Sequence, residues 1–325
     1  MKPDLRIVTT PRQLRDFIYL PEKIHKGHST WLPPVYIDER SFFNSKKNFA
    51  FKNCDTRMIL AYRGNKPVGR IMGIIHNYYN DLHQIRDARF GYFETWNDPE
   101  IAHALIADIE EWARAKGMER LIGPYGFSDK DVQGLLIEGF EHMPVLDSAC
   151  NYKYMVDLVE QEGFTKEIDC HIYRYEFNGH EPENYQEIYN RIASRNGYEL
   201  KEFTARKDLK PFILPVLRLV NHTYTDLYGF VPMGEKEMSE LANRYLPILD
   251  PRYVKIVLHN GDPVAFLVGI PNFSPGLQKS HGRLFPLGIF YLLRAMKKTK
   301  QLDLMLGAVL PRYQNRGLEI FMAMK

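Results

Sequence analysis

Short apolar runs separated by polar turn residues predict two β-hairpins, one in each half of the chain. In the first half, residues 57–62 and 68–76 are apolar, β-branched runs joined by a Gly-Asn-Lys-Pro turn. In the second half, residues 254–258 and 264–270 repeat this arrangement around Asn-Gly-Asp-Pro. Because these turn residues favour tight reversals, each pair of runs is predicted to form two antiparallel strands.

A capped helix is predicted after the first hairpin. The strand candidate 89–95 is followed by Asp98, a good N-cap residue, and by Pro99, which suits the first helical position. Apolar residues then recur at three- and four-residue spacing until Gly117 ends the helix. The second half repeats this order, with a helix candidate at 285–298 and a strand at 302–309.

The order strand, helices, hairpin, strand, helix therefore occurs twice. It predicts an α+β (α/β) fold made of two tandem units, each a mixed twisted sheet flanked by helices. The chain has 325 residues, which is enough for two domains. We place the units at residues 1–178 and 184–325, joined by a polar Gly/Pro stretch.

Composition and charge narrow the class of protein. The net charge of +3 is too small to indicate a nucleic-acid partner, and no His/Cys spacing indicates a metal site. Three widely spaced cysteines argue against a disulfide framework and for a reducing compartment. The amino terminus has no signal-peptide core, so we predict a cytoplasmic protein.

One segment leaves two interpretations open. The apolar run 284–293 is half the length of a membrane span, and Arg294, Lys297, Lys298 and Lys300 follow it. This could be a basic amphipathic segment that touches a membrane or nucleic acid. A simpler explanation of the four basic residues is that cations are favoured at the carboxyl end of a helix. We therefore predict no membrane partner.

The residues after the strand 302–309 form the candidate ligand site. A polar loop follows Pro311, and an apolar stretch begins near Leu318. A helix that starts there would present unpaired backbone N–H groups to an anion. Gly317 would let a phosphate approach the backbone, Arg316 supplies a positive charge, and Gln314 supplies a neutral donor.

This Gln-x-x-Gly loop, after a strand and Pro-x-Tyr, resembles the pyrophosphate-binding motif of the GNAT N-acetyltransferase superfamily. The likeness covers about residues 198–325, and a weaker copy covers residues 5–176. The first half also contains the string Gly123-Pro124-Tyr125. With this string, the two copies are similar to a bacterial group of tandem GNAT-like proteins. The resemblance implies acyl-CoA as co-substrate, bound by two sets of residues: Ala308, Val309 and Leu310 for the pantetheine arm, and Gln314, Asn315, Arg316, Gly317 and Leu318 for the pyrophosphate.

Two features depart from that family. Glu319 stands where the motif ends in Gly or Ala, and a carboxylate there repels a pyrophosphate. The helix would also be only about two turns long, so we expect the natural polypeptide to continue beyond Lys325. In the first unit, residues 96–99 contain no glycine and no cation, and we predict that this unit does not bind CoA.

Candidate catalytic residues come from the first half. Glu94 lies late in the strand 89–95, where GNAT-type enzymes often carry a general base, and is otherwise a surface or capping carboxylate. Tyr152 and Tyr154 are either an acid and an acceptor-cleft residue or the aromatic start of a helix. Cys150 with His142 or His171 would make a nucleophile pair, although a small buried thiol is the simpler interpretation.

We therefore predict an N-acyltransferase that moves an acyl group from acyl-CoA directly to an amine on a small molecule or peptide. Two alternatives remain open. One is a Fem-like aminoacyl transferase that uses aminoacyl-tRNA, and the other is a degenerate acyl-CoA-binding or scaffold protein without catalysis. The sequence gives no indication of the acceptor, the acyl length or the oligomeric state.

Overall fold

The computed structural model describes residues 2–146, 148–177, 179–180, 182–195, 197–246 and 249–325. Its strands are β1 (Asp4–Ile7), β2 (Cys54–Arg63), β3 (Lys66–His76), β4 (Asp87–Thr95), β5 (Arg120–Ile122), β6 (Tyr198–Lys201), β7 (Val254–His259), β8 (Asp262–Pro271) and β9 (Leu302–Val309). Its helices are α1 (Pro11–Ile24), α2 (Tyr36–Phe42), α3 (Asn77–His83), α4 (Pro99–Ala115), α5 (Lys153–Gln161), α6 (Glu183–Ala193), α7 (Arg206–Thr223), α8 (Glu235–Tyr245), α9 (Ser274–Lys279), α10 (Gly288–Lys298) and α11 (Leu318–Ala323).

The chain forms two compact units whose boundaries differ from the predicted ones. The first unit contains Met1–Glu167 and Phe273–Lys298, and the second contains Ile168–Asn272 and Thr299–Lys325. The segment with α9 and α10 therefore belongs to the first unit, although it lies in the second half of the sequence. The predicted join at 178–184 includes residues 178 and 181, which lie outside the described residues.

Long-range hydrogen bonds explain why this late segment joins the first unit. Gln278 donates from Nε2 to the carbonyl oxygens of Ser29 (2.7 Å) and Trp31 (3.1 Å). Arg283 forms a two-pronged pair with Glu22, with both N···O distances at 2.8 Å. Hydrophobic periodicity could not predict such contacts, because it is a local property and these contacts join positions about 250 residues apart.

The first unit contains a mixed sheet with helices on both faces. Its strand order is β1-β2-β3-β4-β5, antiparallel except for the parallel pair β4–β5. Neighbouring residues of each strand point to opposite faces, so Leu60 packs in the cluster with Phe17 of α1, and Ile59 packs in the cluster with Leu105 of α4. Asp98 caps α4 by accepting from Glu100 N, as predicted.

The second unit repeats this arrangement with four antiparallel strands. Its sheet order is β6-β7-β8-β9. Ile256 packs with α7 and α8 on one face, whereas its neighbour Val257 packs with α6 and α11 on the other. Two sheets flanked by helices confirm the predicted fold class.

Element bounds differ from prediction mainly at helix ends. Both hairpins, the strand 302–309 and the start of α4 lie where the turn and capping residues indicated. Helix α1 continues past Pro21, which lies inside it, and α10 begins at Gly288, three residues later than predicted. Within the described ranges, no helix is both long and apolar enough to cross a bilayer.

Candidate functional site

The candidate site lies at the carboxyl end of β4, where this strand leaves β5. The described ladder between them joins Asp87–Arg89 to Arg120–Ile122, and Tyr125 N then donates to Phe90 O at 2.7 Å. The β3–β4 register shifts between Arg70 and Met72, and Tyr92 in this stretch has φ of +54°. A bulge of this kind redirects the side chains that follow it, and Glu94 is one of them.

A carboxylate and two imidazoles form a continuous hydrogen-bonded array beside β4. Glu94 Oε2 lies 3.1 Å from His25 Nε2, and His25 Nδ1 lies 2.9 Å from His28 Nδ1. His28 Nε2 lies 3.2 Å from the Thr30 hydroxyl. The His25 side chain is fully buried and the Glu94 side chain is 15% exposed, whereas His28 is half-buried. The array therefore runs from a buried carboxylate to a partly accessible ring nitrogen.

With both rings neutral and Glu94 ionised, each group of the array can donate or accept the hydrogen bond that its neighbour requires. His25 then donates from Nε2 to Glu94 and accepts at Nδ1 from His28. His28 Nε2 carries a lone pair and accepts from the Thr30 hydroxyl.

One added proton gives a second satisfied state. His25 is then an imidazolium that donates from both ring nitrogens, one of them to Glu94. His28 donates from Nε2 to Thr30, whose hydroxyl donates to Phe140 O at 3.1 Å. A proton taken up at His28 Nε2 converts the first state into the second, because the Nδ1 proton of His28 moves to His25. The array can therefore act as a proton acceptor.

Aromatic rings cover the imidazoles. The rings of Trp31 and Tyr152 are nearly parallel to that of His25, with centroids 5.1 and 5.2 Å away. Tyr152 also stacks on His28 at 4.2 Å. The Tyr154 hydroxyl donates to Thr95 O at 2.9 Å, at the end of β4. These rings hold the imidazoles in place and reduce their contact with water.

Burial sets the protonation states around the array. It lowers the pKa of His28 below the ordinary 6.5, His25 lowers this pKa further, and Glu94 offsets part of the shift. Burial also raises the pKa of the Tyr152 and Tyr154 phenols, and the Glu94 carboxylate adds to the effect at Tyr154. At neutral pH, His28 is therefore an uncharged ring with a lone pair on Nε2, and both phenols stay protonated.

The Cys150 nucleophile hypothesis gains no support. Burial raises the pKa of the Cys150 thiol, which disfavours the reactive thiolate. The thiol donates to Thr30 O at 3.7 Å. The contacts described for the proposed partners are with other groups, Glu141 for His142 and Tyr173 for His171.

The structure brings together three of the residues that the sequence nominated for catalysis, Glu94, Tyr152 and Tyr154. Sequence reasoning missed their partners His25, His28, Thr30 and Trp31. The available signal was the compact run His-Lys-Gly-His-Ser-Thr-Trp directly after α1, which places two imidazoles and an indole within seven residues. The spacing of this run matches no known metal- or ligand-binding motif. The Glu94 carboxylate, which pairs with His25, lies 69 residues away in the sequence.

The loop predicted to hold acyl-CoA lies in the second unit, after β9. Val309 pairs with Ala265 of β8, Ala308 pairs with Phe266, and Leu310 N donates to Val264 O at 2.9 Å. On its other side β9 ends the described sheet order, and there the Tyr224 hydroxyl donates to Gly307 O at 3.1 Å and lies 3.3 Å from Gly307 N.

The side chains of Gln314, Asn315 and Arg316 in this loop are exposed, whereas that of Tyr313 is buried. Arg316 lies over the Tyr313 ring at 5.2 Å and donates to the Tyr198 hydroxyl at 3.3 Å. Gln314 donates to Val309 O at 3.3 Å, and Asn315 has φ of +58°. The exposed Arg316 guanidinium retains donors that a phosphate could use.

Gly317 has a structural explanation that the sequence did not reveal. It is the N-cap of α11 with φ of +81°, and a Cβ atom there would lie 2.6 Å from Ile188 Cγ2 on α6. Backbone conformation and packing therefore require the glycine without any phosphate. Leu318 is fully buried, so its side chain packs in the core and only its backbone could meet a ligand. Glu319 is exposed in the first turn of α11.

The corresponding position of the first unit is occupied by protein groups. Asp98 accepts from the amides of Glu100 and Ile101 at the start of α4, and Arg63 pairs with Asp98 at 2.7 Å. A carboxylate that already binds these amides competes with a phosphate. That the first unit lacks a CoA phosphate site stays a prediction.

Two known proteins align with most of the chain, whereas no protein-family model matches it. The bacterial ceramide synthase of Caulobacter vibrioides (strain NA1000 / CB15N) is 28% identical over 292 residues, which are 89% of this chain and 75% of that protein. Protein YghO of Escherichia coli (strain K12) is 24% identical over 299 residues, which are 90% of this chain and 74% of that protein.

Solved structures that resemble this chain include a tandem GNAT protein and an N-acetyltransferase. A tandem GNAT protein from the clavulanic acid biosynthesis pathway matches 99% of this chain and 83% of its own, with 12% identity and a TM-score of 0.49. A ribosomal-protein-alanine N-acetyltransferase from Brucella melitensis matches 55% of this chain and 100% of its own, with 12% identity and a TM-score of 0.30. At these identities and TM-scores, no substrate or residue role is transferred from them.

Proposed function

We propose that the protein is an N-acyltransferase that moves a fatty acyl group from an acyl-CoA thioester to the primary amine of a long-chain amino alcohol. The product is an N-acyl lipid of the ceramide type. The observation that carries this proposal is the array of Glu94, His25 and His28, which can take up one proton through the half-buried His28. The likeness to a bacterial ceramide synthase supports an amine acceptor and a lipid product.

The reaction requires a proton acceptor of this kind. At neutral pH the acceptor is an ammonium ion, which is not nucleophilic until it loses a proton. His28 Nε2 accepts that proton, and the resulting positive charge is delivered to His25 beside the Glu94 carboxylate. A buried carboxylate stabilises an adjacent imidazolium more strongly than water does, so Glu94 makes the acceptor stronger.

Acyl transfer then proceeds without a covalent enzyme intermediate. The amine nitrogen attacks the thioester carbonyl carbon, the C–N bond forms and the C–S bond breaks. The thiolate leaves and takes a proton from the attacking nitrogen. One ammonium and one thioester thus give one amide, one CoA thiol and one proton, and the proton is held by the array until it exchanges with water.

The second unit supplies the proposed CoA contacts. Exposed Arg316 and Gln314, with the amides of Asn315, Gly317 and Leu318, are proposed to meet the pyrophosphate. The backbone of Ala308, Val309 and Leu310 is proposed to meet the pantetheine arm. Because packing against Ile188 already accounts for Gly317, the support for this loop rests on the exposed side chains of Arg316 and Gln314.

Product analysis with matched acceptors tests the function. Purified protein is incubated with stearoyl-CoA or acetyl-CoA and either a long-chain amino diol or the same diol without its amine. Mass spectrometry measures the amide, and a chromogenic thiol reagent measures free CoA. We expect amide and thiol in equal amounts, with the amine acceptor only and faster with stearoyl-CoA.

Other outcomes separate the alternatives. Thiol release without amide would mean hydrolysis and would contradict the proposal. Amide formation from aminoacyl-tRNA but not from acyl-CoA would favour the Fem-like transferase. Stoichiometric acyl-CoA binding with no turnover of any amine would favour a non-catalytic binding protein.

A further inference from the structure

The helix α10 and the turn before it expose large apolar side chains. Phe285 is 73% exposed, Leu287 59%, Phe290 63% and Leu293 56%. Single exposed apolar residues are ordinary on protein surfaces, but four within nine residues form a patch. Phe290 and Leu293 are three residues apart and therefore share one face of the helix.

Cations continue the same face. Arg294 and Lys297 lie four and seven residues after Phe290, which places them on its side of the helix, and Lys298 follows. All three are exposed. We call the seven residues the α10 surface: Phe285, Leu287, Phe290, Leu293, Arg294, Lys297 and Lys298.

The charge of the whole segment has one sign. Phe273–Lys298 contains five Lys and Arg and no Asp or Glu, whereas the chain as a whole is nearly balanced at 43 basic against 40 acidic residues. Cations attracted to the carboxyl end of α10 would account for Lys297 and Lys298 but not for the exposed apolar side chains beside them. Apolar side chains flanked by cations are complementary to a partner whose outer layer is anionic and whose interior is apolar.

The other side of α10 is fixed to the protein. A Cβ atom on Gly276 of α9 would lie 2.5 Å from Tyr291 O, so the two helices are in close backbone contact. Lys279 of α9 lies over the Tyr291 ring at 4.7 Å. Helix α9 is attached through Gln278 to the carbonyl oxygens of Ser29 and Trp31, which flank the loop that carries His28.

We propose that the α10 surface docks on an anionic lipid membrane, with α10 lying in the plane of the headgroups. An amphipathic helix binds in this way by placing its apolar side chains below the headgroups while its Lys and Arg meet lipid phosphates. Docking would place the loop of His28 and Trp31 near the membrane, because Gln278 ties that loop to α9. The inference goes beyond the proposed reaction and does not depend on it.

Vesicle sedimentation tests the docking. The probes are vesicles of phosphatidylcholine alone and of phosphatidylcholine with about 30% phosphatidylglycerol, each at low and high salt. We expect binding to the anionic vesicles, at least tenfold weaker binding to the neutral ones, and loss in about 0.5 M NaCl because salt screens the cations.

Two variants with matched controls assign the binding to this surface. The double variant Phe290→Asp/Leu293→Asp should weaken binding at least tenfold, whereas Leu82→Asp, a change at a 49% exposed residue of α3, should leave it unchanged. The triple variant Arg294→Gln/Lys297→Gln/Lys298→Gln should weaken it roughly tenfold or more. Its control, with Lys46, Lys47 and Lys52 changed to Gln, removes the same charge from exposed positions elsewhere in the unit.

Specific results would overturn the inference. Absence of wild-type binding to anionic vesicles would do so, as would equal binding by the Phe290/Leu293 variant with an unchanged melting temperature. A wild-type dimer that this variant dissociates, without vesicle binding, would assign the surface to a second copy of the chain. No substrate is present in these measurements, so they are independent of whether the protein acylates amines.

Discussion

A histidine pair that ends on a carboxylate behaves differently from a single histidine. In the proposed reaction, the proton enters at His28 and passes along the hydrogen bond between the two rings to His25, which is fully buried and hydrogen-bonded to Glu94. Because the rings are coupled, the pair takes up the proton as a unit, although burial lowers the pKa of His28.

The pH dependence of activity should report protonation of the array. The two hydrogen-bonded rings titrate as a pair, so the rate of N-acylation should fall at acidic pH once the array already holds a proton. We expect His28→Gln to lower kcat by about 10²–10⁴-fold, the usual contribution of a general base, and to remove that acidic limb. The measurement is kcat/KM against pH for both proteins. An unchanged profile in the variant would show that His28 does not accept the proton.

Sequence reasoning reached Glu94 but not the histidines, for a physical reason. Glu94 is marked by its place near the end of a strand, which is a local property. His25 and His28 derive their chemistry from contacts with β4 and with Tyr152, and these contacts exist only after folding. At Gly317 the local motif indicated a phosphate but did not reveal the contact with Ile188, which requires a glycine in any case.

Element boundaries were predictable where a residue type forces them. Asp98 and Pro99 start α4, and the Asn260-Gly261 turn joins β7 to β8 with both residues at positive φ. The start of α10 was not predicted, because Phe285 and Leu287 continue the apolar pattern without being helical. Apolar pattern alone cannot separate an exposed turn from the helix that follows it.

Acid should weaken the start of α3, because His76 caps it as a neutral ring. His76 Nδ1 accepts from Tyr79 N at 3.2 Å, and burial, together with Arg89, lowers the pKa of His76 from 6.5 to about 4. The unfolded chain therefore binds this proton first. The free energy of unfolding should fall as the pH drops from about 6.5 to about 4, by on the order of 2–3 kcal/mol from this group.

His76→Asn isolates that effect. Asparagine keeps a capping acceptor but does not titrate, so stability at pH 7 should stay close to wild type while the acid loss becomes smaller. Chemical denaturation at a series of pH values between 7 and 4 measures both quantities. Equal acid sensitivity in the two proteins would show that the His76 cap is not responsible.

Gly317→Ala should destabilise the second unit whether or not acyl-CoA binds there. Alanine at φ of +81° is strained, and its Cβ would displace Ile188, so we expect a loss of about 1–3 kcal/mol in urea unfolding. Gly234→Ala is the control, because Gly234 has φ of −75° and no atom within 4 Å of the added Cβ. If Gly317→Ala were as stable as wild type, packing would not explain the glycine.

Two similar units within one chain need not share one chemistry. The first unit carries the proton-accepting array, and Asp98 occupies the helix start where a phosphate would bind. The second unit carries the exposed Arg316 loop, which follows the last strand of its described sheet order, β9. Sequence repetition predicted the two sheets, but it could not predict that Phe273–Lys298 joins the first unit, because that depends on Gln278 and Arg283.

Acyl-CoA affinity should depend on Arg316 if the second unit holds the pyrophosphate. We expect Arg316→Ala to weaken stearoyl-CoA binding about tenfold or more, as expected for loss of a charged hydrogen bond. Arg312→Ala removes the same charge from an exposed position of the same loop and should have a smaller effect. Isothermal titration of the full chain measures both, and equal affinities in the two variants would place the pyrophosphate elsewhere.

The most direct measurement is the single-turnover rate of amide formation by the Glu94→Gln protein, with Asp108→Asn as control. Asp108 is also a half-buried carboxylate of the first unit, but it pairs with Arg57 at 2.6 Å. Glutamine cannot stabilise an imidazolium as a carboxylate does, so the rate should fall about 10²–10⁴-fold while acyl-CoA affinity is retained. A Glu94→Gln rate equal to those of the wild type and the control would contradict the proposed role of the array.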